Sequence, residues 1–425
     1  MKTLIELLEE NKELNGYRVA ETKTASHELF FVHEKLETVR STDTVSTAVT
    51  VYVDHDGARG DSTFTVYASM SEEDTRAKIA QAIARAKLVS NEPYVLPQGG
   101  EKQTALPTNL TDYEPRDLAA KIARAVFAAN CPEGGSINAL EVFLYTDTLR
   151  VRNSEGIDKT QTTHRVMIEA IPTFTDEKES VELYEDYRFT VFDEEKLKAE
   201  ISEKLRETRD RHEATKPAGP LKINVVLRPQ EIRELLSDLA YDANYAAVYA
   251  HANLHKIGDD LQPDDNCDKL TLTMRAATPG SERSASFDED GTDLIDTVII
   301  EKGVLKNYFG DSRYGQYLKV DRPSGNLRCV KLEPGTLTQE SLKKAPYIEC
   351  VSLSGLQLDL YNDYIGGEIR LAYYFDGEKT RPITGISMSG RFSETLKALR
   401  LSAKTGCFGS YEGPDKLLLT GMEVL

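Results

Sequence analysis

His251 and His255 stand four residues apart in HANLHKIGDD, a stretch that closes on Asp259 and Asp260. On a helix, residues at i and i+4 project to one side, where two imidazoles can reach a single metal ion. A hydrolytic zinc also needs a third ligand, an open position for water and a base to take that water's proton. Helical zinc peptidases place that base, a glutamate, directly after the first histidine; here the neighbour is Ala252. Cys407 is the candidate third ligand, Cys267 is nearer in sequence, and Asp259 or Asp260 is the candidate substitute base. The competing reading is two partly exposed helix residues making ordinary hydrogen bonds.

Other chemistry-bearing patterns are weaker. FDEDG at 287–291 lacks the spacing and distal glutamate of a calcium loop, so it reads as an acidic turn between strands. GISMS at 385–389 places Ser389 where a nucleophile elbow requires glycine. Neither a GxGxxG fingerprint nor a P-loop is present. Tyr373, Tyr374 and Phe375 read as strand packing.

Composition narrows the classes. The 425 residues carry 52 basic and 70 acidic side chains, a net charge of −18. That field repels nucleic acid and anionic membrane surfaces. No apolar run approaches the roughly 20 residues needed to cross a bilayer. Glu6, Glu9 and Glu10 break the N-terminal apolar residues, which excludes a signal peptide, while Leu4, Leu7 and Leu8 mark one helix face. The 5 cysteines are scattered without a CxxC pair, the usage of reduced thiols in a cytoplasmic protein.

The elements that must position any site follow from periodicity. Val49, Val51 and Val53 alternate in the strand manner, and Asp56-Gly57 supplies the hairpin turn. Ser71 and Asp74 form a capping box ahead of a helix striped by Ile79, Ala82, Ile83 and Ala86. A second helix opens at Pro115, and a third carries Leu197, Ile201 and Leu205. Two prolines and a glycine in HEATKPAGP place a domain boundary near residue 218. Beyond it come a strand, a helix opened by Pro229, and then an almost unbroken series of strands. The predicted fold class is α+β in two domains. Residues 1–218 form helices packed on a sheet, and residues 219–425 form a β-rich, sandwich- or barrel-like domain.

FDEDGTDLIDTVIIEKGVLKNYFGDSRYG, followed by PSGNLR at 323–328, resembles the TldD/PmbA family, once labelled modulators of DNA gyrase. RPITGISMSG and GCFGSYEGPDKLLLTGMEV are similar to that family's closing segments. FFVHEKLETVRSTDTVSTAVTVYVDHDGARG and NSEG at 153–156 are similar to its N-terminal hairpin and turn. The resemblance covers nearly the whole chain. It implies one of two roles. The TldD branch carries HExxxH, binds zinc with help from a C-terminal cysteine and cleaves extended peptides. The PmbA (TldE) branch lacks the motif and serves as its partner. Counting back from the family's Gly-acid pair, here Gly258 and Asp259, places the metal segment on the Pro229 helix, in RELLSDLAYD, which has no histidine.

The resemblance therefore implies a PmbA/TldE-like subunit with no catalytic residue or zinc of its own. Zinc would reside in a TldD-like partner bearing HExxxH. Ser324, Gly325, Asn326 and Arg328 would line a chamber for an extended peptide. Two alternatives stay open: a stand-alone zinc peptidase using His251, His255 and Cys407, and a non-catalytic homodimeric scaffold.

Overall fold

The Val49, Val51, Val53 alternation is realised in β2 (Lys35–His55), which turns through Asp56-Gly57 into β3 (Ala58–Val66). Asp56 and Gly57 both take positive φ, 49° and 78°, as a two-residue hairpin turn with the twist of its strands requires. In the computed structural model, residues 2–131, 135–177 and 179–425 are described.

β1 (Gly16–Val32) pairs with β2 on one side and with β5 (Ser136–Asn153) on the other. β6 (Asp158–Thr175) pairs with β5 and carries the short β4 (Glu101–Ala105), β7 (Ser180–Glu182) and β8 (Glu185–Phe189). The strand order is β3-β2-β1-β5-β6-β4. Helices cover one face of this sheet. α1 (Leu4–Glu9) and α2 (Glu72–Ala86) bury Leu7, Leu8, Ile79 and Ile83 against Val19, Val49 and Val51. α2 starts at the expected capping box, in which Ser71 and Asp74 bond reciprocally. α3 (Pro115–Phe127) and α4 (Glu194–Glu213) bury Leu118, Ile122, Leu197 and Ile201 against Leu140, Val142 and Ile168. The opposite face, bearing Val151, Lys159 and Gln161, is left to the C-terminal half.

That half has two β layers around one large core. The strands Leu221–Leu227, Tyr347–Asp359, Tyr364–Phe375, Ile386–Gly390 and Leu417–Val424 pair in a closed ring, a five-stranded barrel. The second layer is a six-stranded open sheet. It runs from Val304–Leu305 at one edge to Thr405–Phe408 at the other. α5 (Pro229–Tyr241) opens on the expected proline and buries Ile232, Leu235, Leu236 and Leu239. The expected α+β class with a barrel-like C-terminal region is the observed one.

A buried ionic knot joins α4 to the barrel. Glu207 of α4 is fully buried and receives Arg228 Nη1 at 2.6 Å, while Arg228 Nε reaches Glu349 Oε1 at 2.9 Å. Lys416 Nζ holds the other Glu349 oxygen at 2.8 Å, and Tyr373 Oη donates to Asp210 at 2.5 Å. Breaking one partner of such a set strands a buried charge.

Beside it, Glu231 is buried with Oε2 unbonded among the described residues. Burial pushes its carboxyl up to about 7. Between pH 4.5 and 7 the native chain holds a proton that the unfolded chain releases, so rising pH lowers stability across that window. The full drop is on the order of 3 kcal/mol. Glu231→Gln removes it. Urea unfolding of wild type and variant between about pH 5 and about pH 7.5 is expected to show the wild type alone losing that increment.

Candidate functional site

The acidic turn FDEDG is folded around its own first carboxylate. Asp288 Oδ1 accepts from the amides of Asp290 and Thr292, both at 3.0 Å, and Oδ2 accepts from Asn326 N at 3.1 Å. Short acidic side chains favour such local amide capture. One side chain thereby fixes the 287–292 turn and the PSGNLR loop to each other. Burial raises the Asp288 carboxyl above its ordinary range, and Asp311 adds to the effect.

The turn is clamped onto the open face of the N-terminal sheet. Lys159 Nζ donates to Gly291 O at 2.8 Å and pairs with Asp293 at 3.2 Å. Gln161 Oε1 accepts from Ser286 N at 2.6 Å, and Arg18 pairs with Asp290. Phe287 packs with Val151 and Ile157. NSEG supplies the rigid strand end: Asn153 Oδ1 accepts from Glu155 N and Ile157 N at 2.9 and 3.0 Å.

Two clefts flank this seam. The first, about 320 Å³, lies between β1–β3 and the loops at 288–290 and 311–314. Its walls carry Asp61, Asp288, Glu289, Asp290 and Asp311, against Arg18 and Arg313, together with Tyr52, Tyr94 and Tyr314. Arg313 lies over the rings of Tyr94 and Tyr314, 5.2 and 5.4 Å from their centroids. The second cleft, about 370 Å³, carries Arg165, Arg188, Arg283 and Arg328. Glu282 engages Arg165 and Arg188, and Glu289 engages Arg328. Arg283 is exposed and has no ion-pair partner among the described residues. Asp288, Glu289 and Asn326 line both clefts and form the ridge between them.

The four loop residues divide by role. Ser324 is buried; its Oγ accepts from Gly310 N at 3.0 Å and donates to Gly325 O at 3.1 Å. Gly325 sits at φ 74°, and a Cβ there would stand 2.6 Å from Leu294 Cδ2. Neither lines a cleft. Asn326 and Arg328 are exposed into them, and the Asn326 carboxamide is unbonded among the described residues. Arg328 lay in PSGNLR, and Arg313 and Tyr314 in GDSRYG, but Arg18, Arg165, Arg188, Tyr52 and Tyr94 had no short motif to announce them, since elements far apart in sequence bring them together.

The shared helix face expected for His251 and His255 is not formed. α6 (Tyr245–Tyr249) ends before either residue. His251 N bonds Val248 O at 3.1 Å and Ala252 N bonds Ala247 O at 2.8 Å, the Schellman pattern, with His251 at φ 53° in the left-handed stop position. His255 lies in the following loop, where Asp242 takes its Nδ1 at 2.9 Å and its backbone N at 3.0 Å. That loop pairs with Val304–Leu305, whereas Cys407 lies in Thr405–Phe408 at the opposite edge of the same sheet. Among the described residues no three His, Cys, Asp or Glu gather as a metal site. The residues present do not fit a zinc ion. All 5 cysteines are unbridged, and no helix among the described residues is long and apolar enough to cross a membrane.

Asp288→Asn leaves one acceptor oxygen for three amides and is expected to cost about 1–3 kcal/mol. Asn326→Ala, removing an exposed and unbonded carboxamide, is expected to change stability by less than about 0.5 kcal/mol. Urea midpoints of the two variants check the contrast.

Residues 220–425 match the family described as PmbA/TldA metallopeptidase C-terminal domain. No curated protein matches the chain in sequence. A Bacteroides thetaiotaomicron protein provisionally named a modulator of DNA gyrase superposes with a TM-score of 0.81 at 16% identity, over 99% of this chain and 97% of that one. TldE from Thermococcus kodakarensis gives 0.80 at 15%, over 99% and 98%. A Thermotoga maritima protein, also provisionally named a modulator of DNA gyrase, gives 0.77 at 15%, over 96% of each. At such identities the likeness is one of fold, and it extends across both halves. Residues 220–425 thus carry the PmbA/TldA metallopeptidase C-terminal domain, and the chain as a whole shares the fold of TldE and of the two proteins provisionally named modulators of DNA gyrase.

Proposed function

We propose that this chain is the peptide-holding, non-catalytic subunit of a two-subunit metallopeptidase, of the PmbA/TldE type. Its partner would be a relative bearing HExxxH, which would bring the zinc and the base. The observation that carries the reading is the ridge at Asn326, with a carboxylate-rich cleft on one side and an arginine-rich cleft on the other. An extended peptide carries an amide at every residue and opposite charges at its ends. The free Asn326 carboxamide offers a donor and an acceptor to one such amide. The acidic cleft suits an ammonium or basic side chain, and Arg283 with Arg328 suits a carboxylate.

Two observations agree with this division of labour. RELLSDLAYD, on α5, contains no histidine, and neither cleft is lined by histidine or cysteine. What the clefts offer is recognition chemistry. The −18 charge favours a peptide over nucleic acid as the occupant.

The test is co-expression with an HExxxH-bearing relative from the same cell, followed by peptidase assays of each chain and of the mixture. Activity is expected in the mixture. Asn326→Ala and Arg328→Ala in this chain are expected to raise KM about 10-fold while leaving kcat within about twofold, the signature of lost ground-state binding. Peptidase activity in this chain alone, abolished by chelation, would overturn the assignment.

A further inference from the structure

The second cleft holds a cation that its own carboxylates do not use. Arg165 pairs with Asp147 and Glu282, Arg188 with Asp186 and Glu282, and Arg328 with Glu289. The Arg283 guanidinium has neither an ion pair nor a hydrogen bond among the described residues. It stands near Arg328: partial desolvation, then the like charge of Arg283, holds the Arg328 guanidinium below its ordinary value. Two guanidiniums that repel each other are reconciled by an anion bound between them.

Both arginines spring from fixed backbone. Arg283 N donates to Ser281 Oγ at 3.1 Å. Beside it the buried Ser284 Oγ accepts from Thr278 N at 3.1 Å and donates to Thr278 O at 3.0 Å. Arg328 follows Asn326 by two residues, and Asp288 holds the Asn326 amide. A two-pronged site on such stems loses little freedom when it is filled. The same cleft also has an apolar wall, made by the half-buried Leu149 of β5 and Leu294 against the buried Phe287.

We infer that Arg283 and Arg328 hold the C-terminal α-carboxylate of an extended peptide, with its last side chain, an apolar one, on Leu149 and Leu294. Each guanidinium can give a carboxylate two parallel N–H bonds. A free phosphate has the charge but nothing to set against the leucines. The inference rests on the peptide-holding reading and adds a direction to it. From its anchored end the chain runs past the Asn326 carboxamide toward the first cleft. β5 measures the span. Asn153 borders the first cleft, and Leu149 and Asp147, four and six positions back on the same face of that strand, border the second. At about 3.3 Å per residue the clefts lie roughly 13–20 Å apart, the reach of about four to six extended peptide residues. The carboxylates of the first cleft therefore meet a residue that far from the C-terminus, where a lysine is favoured.

Isothermal titration of the full chain with tetraalanyl-leucine and with its C-terminal amide reads the site without any catalysis. The free acid is expected to bind about 10-fold tighter than the amide, the margin of a charge-assisted hydrogen-bonded pair. Arg283→Ala is expected to erase that margin by weakening the free acid alone. Arg283→Lys is expected to restore part of it, since lysine keeps the charge but not the fork. A lysine moved stepwise along a polyalanine octapeptide ending in leucine is expected to bind tightest about four to six residues from the C-terminus. Acid and amide binding alike would overturn the inference and leave the peptide-holding reading standing. A lysine preferred at the C-terminal end instead would reverse the direction and overturn it as well. So would inorganic phosphate that binds as tightly as the free acid and is lost in Arg283→Ala. Binding of neither peptide would overturn the inference and the peptide-holding reading together.

Discussion

A single buried carboxylate organises the functional face. Asp288 draws amides from its own turn and from PSGNLR, two segments nearly forty residues apart, into one rigid seam. A carboxylate can saturate several donors at once where a neutral acceptor cannot, so the turn and the loop hold their shape without a hydrophobic core of their own. The cost of burying that charge appears in its raised carboxyl. It is offset by three amides that would otherwise go unsatisfied.

The seam is useful because its base is held on both sides. Lys159, Gln161 and Arg18 fasten the turn to the N-terminal sheet, and the Arg228 knot fastens α4 of that same half to the barrel. The two joints lie at different places along the domain boundary. Together they oppose hinge motion between the halves, so the clefts on either side of Asn326 keep their spacing. Under the proposed function, such preorganisation leaves less ordering for the moment of binding.

Local patterning announced much of this fold. Ser71 and Asp74 foretold the start of α2, Pro115 and Pro229 opened helices where placed, and Val49, Val51 and Val53 share a buried face. Those features are set by neighbours a few residues away. HANLHKIGDD kept a metal pair open as an alternative for the same reason: spacing alone cannot show that a helix has stopped. The stop is made by His251 in a left-handed conformation usually given to glycine, and by Asp242, which captures the backbone and ring of His255. Asp242 lies nine residues before His251, outside the pattern that suggested a site. PSGNLR was legible as a place but not as a division of labour. Only the packing shows that Ser324 and Gly325 serve the loop's backbone while Asn326 and Arg328 face solvent. The cleft arginines and tyrosines come from separate strands and loops, and no window of sequence contains them.

The two faces of the N-terminal sheet are used differently, and the helices explain why. One face is spent on α1 to α4, so only the other is free to receive the C-terminal half, and it does so where β5 turns into β6. β2 escapes both coverings beyond Ser46, because β3 stops and α2 departs. An edge left open by the loss of its neighbour would ordinarily be protected by proline or a run of like charge. This one carries Lys35, Glu37, Arg40 and Asp43 along its length, charges of both signs that leave the segment neutral.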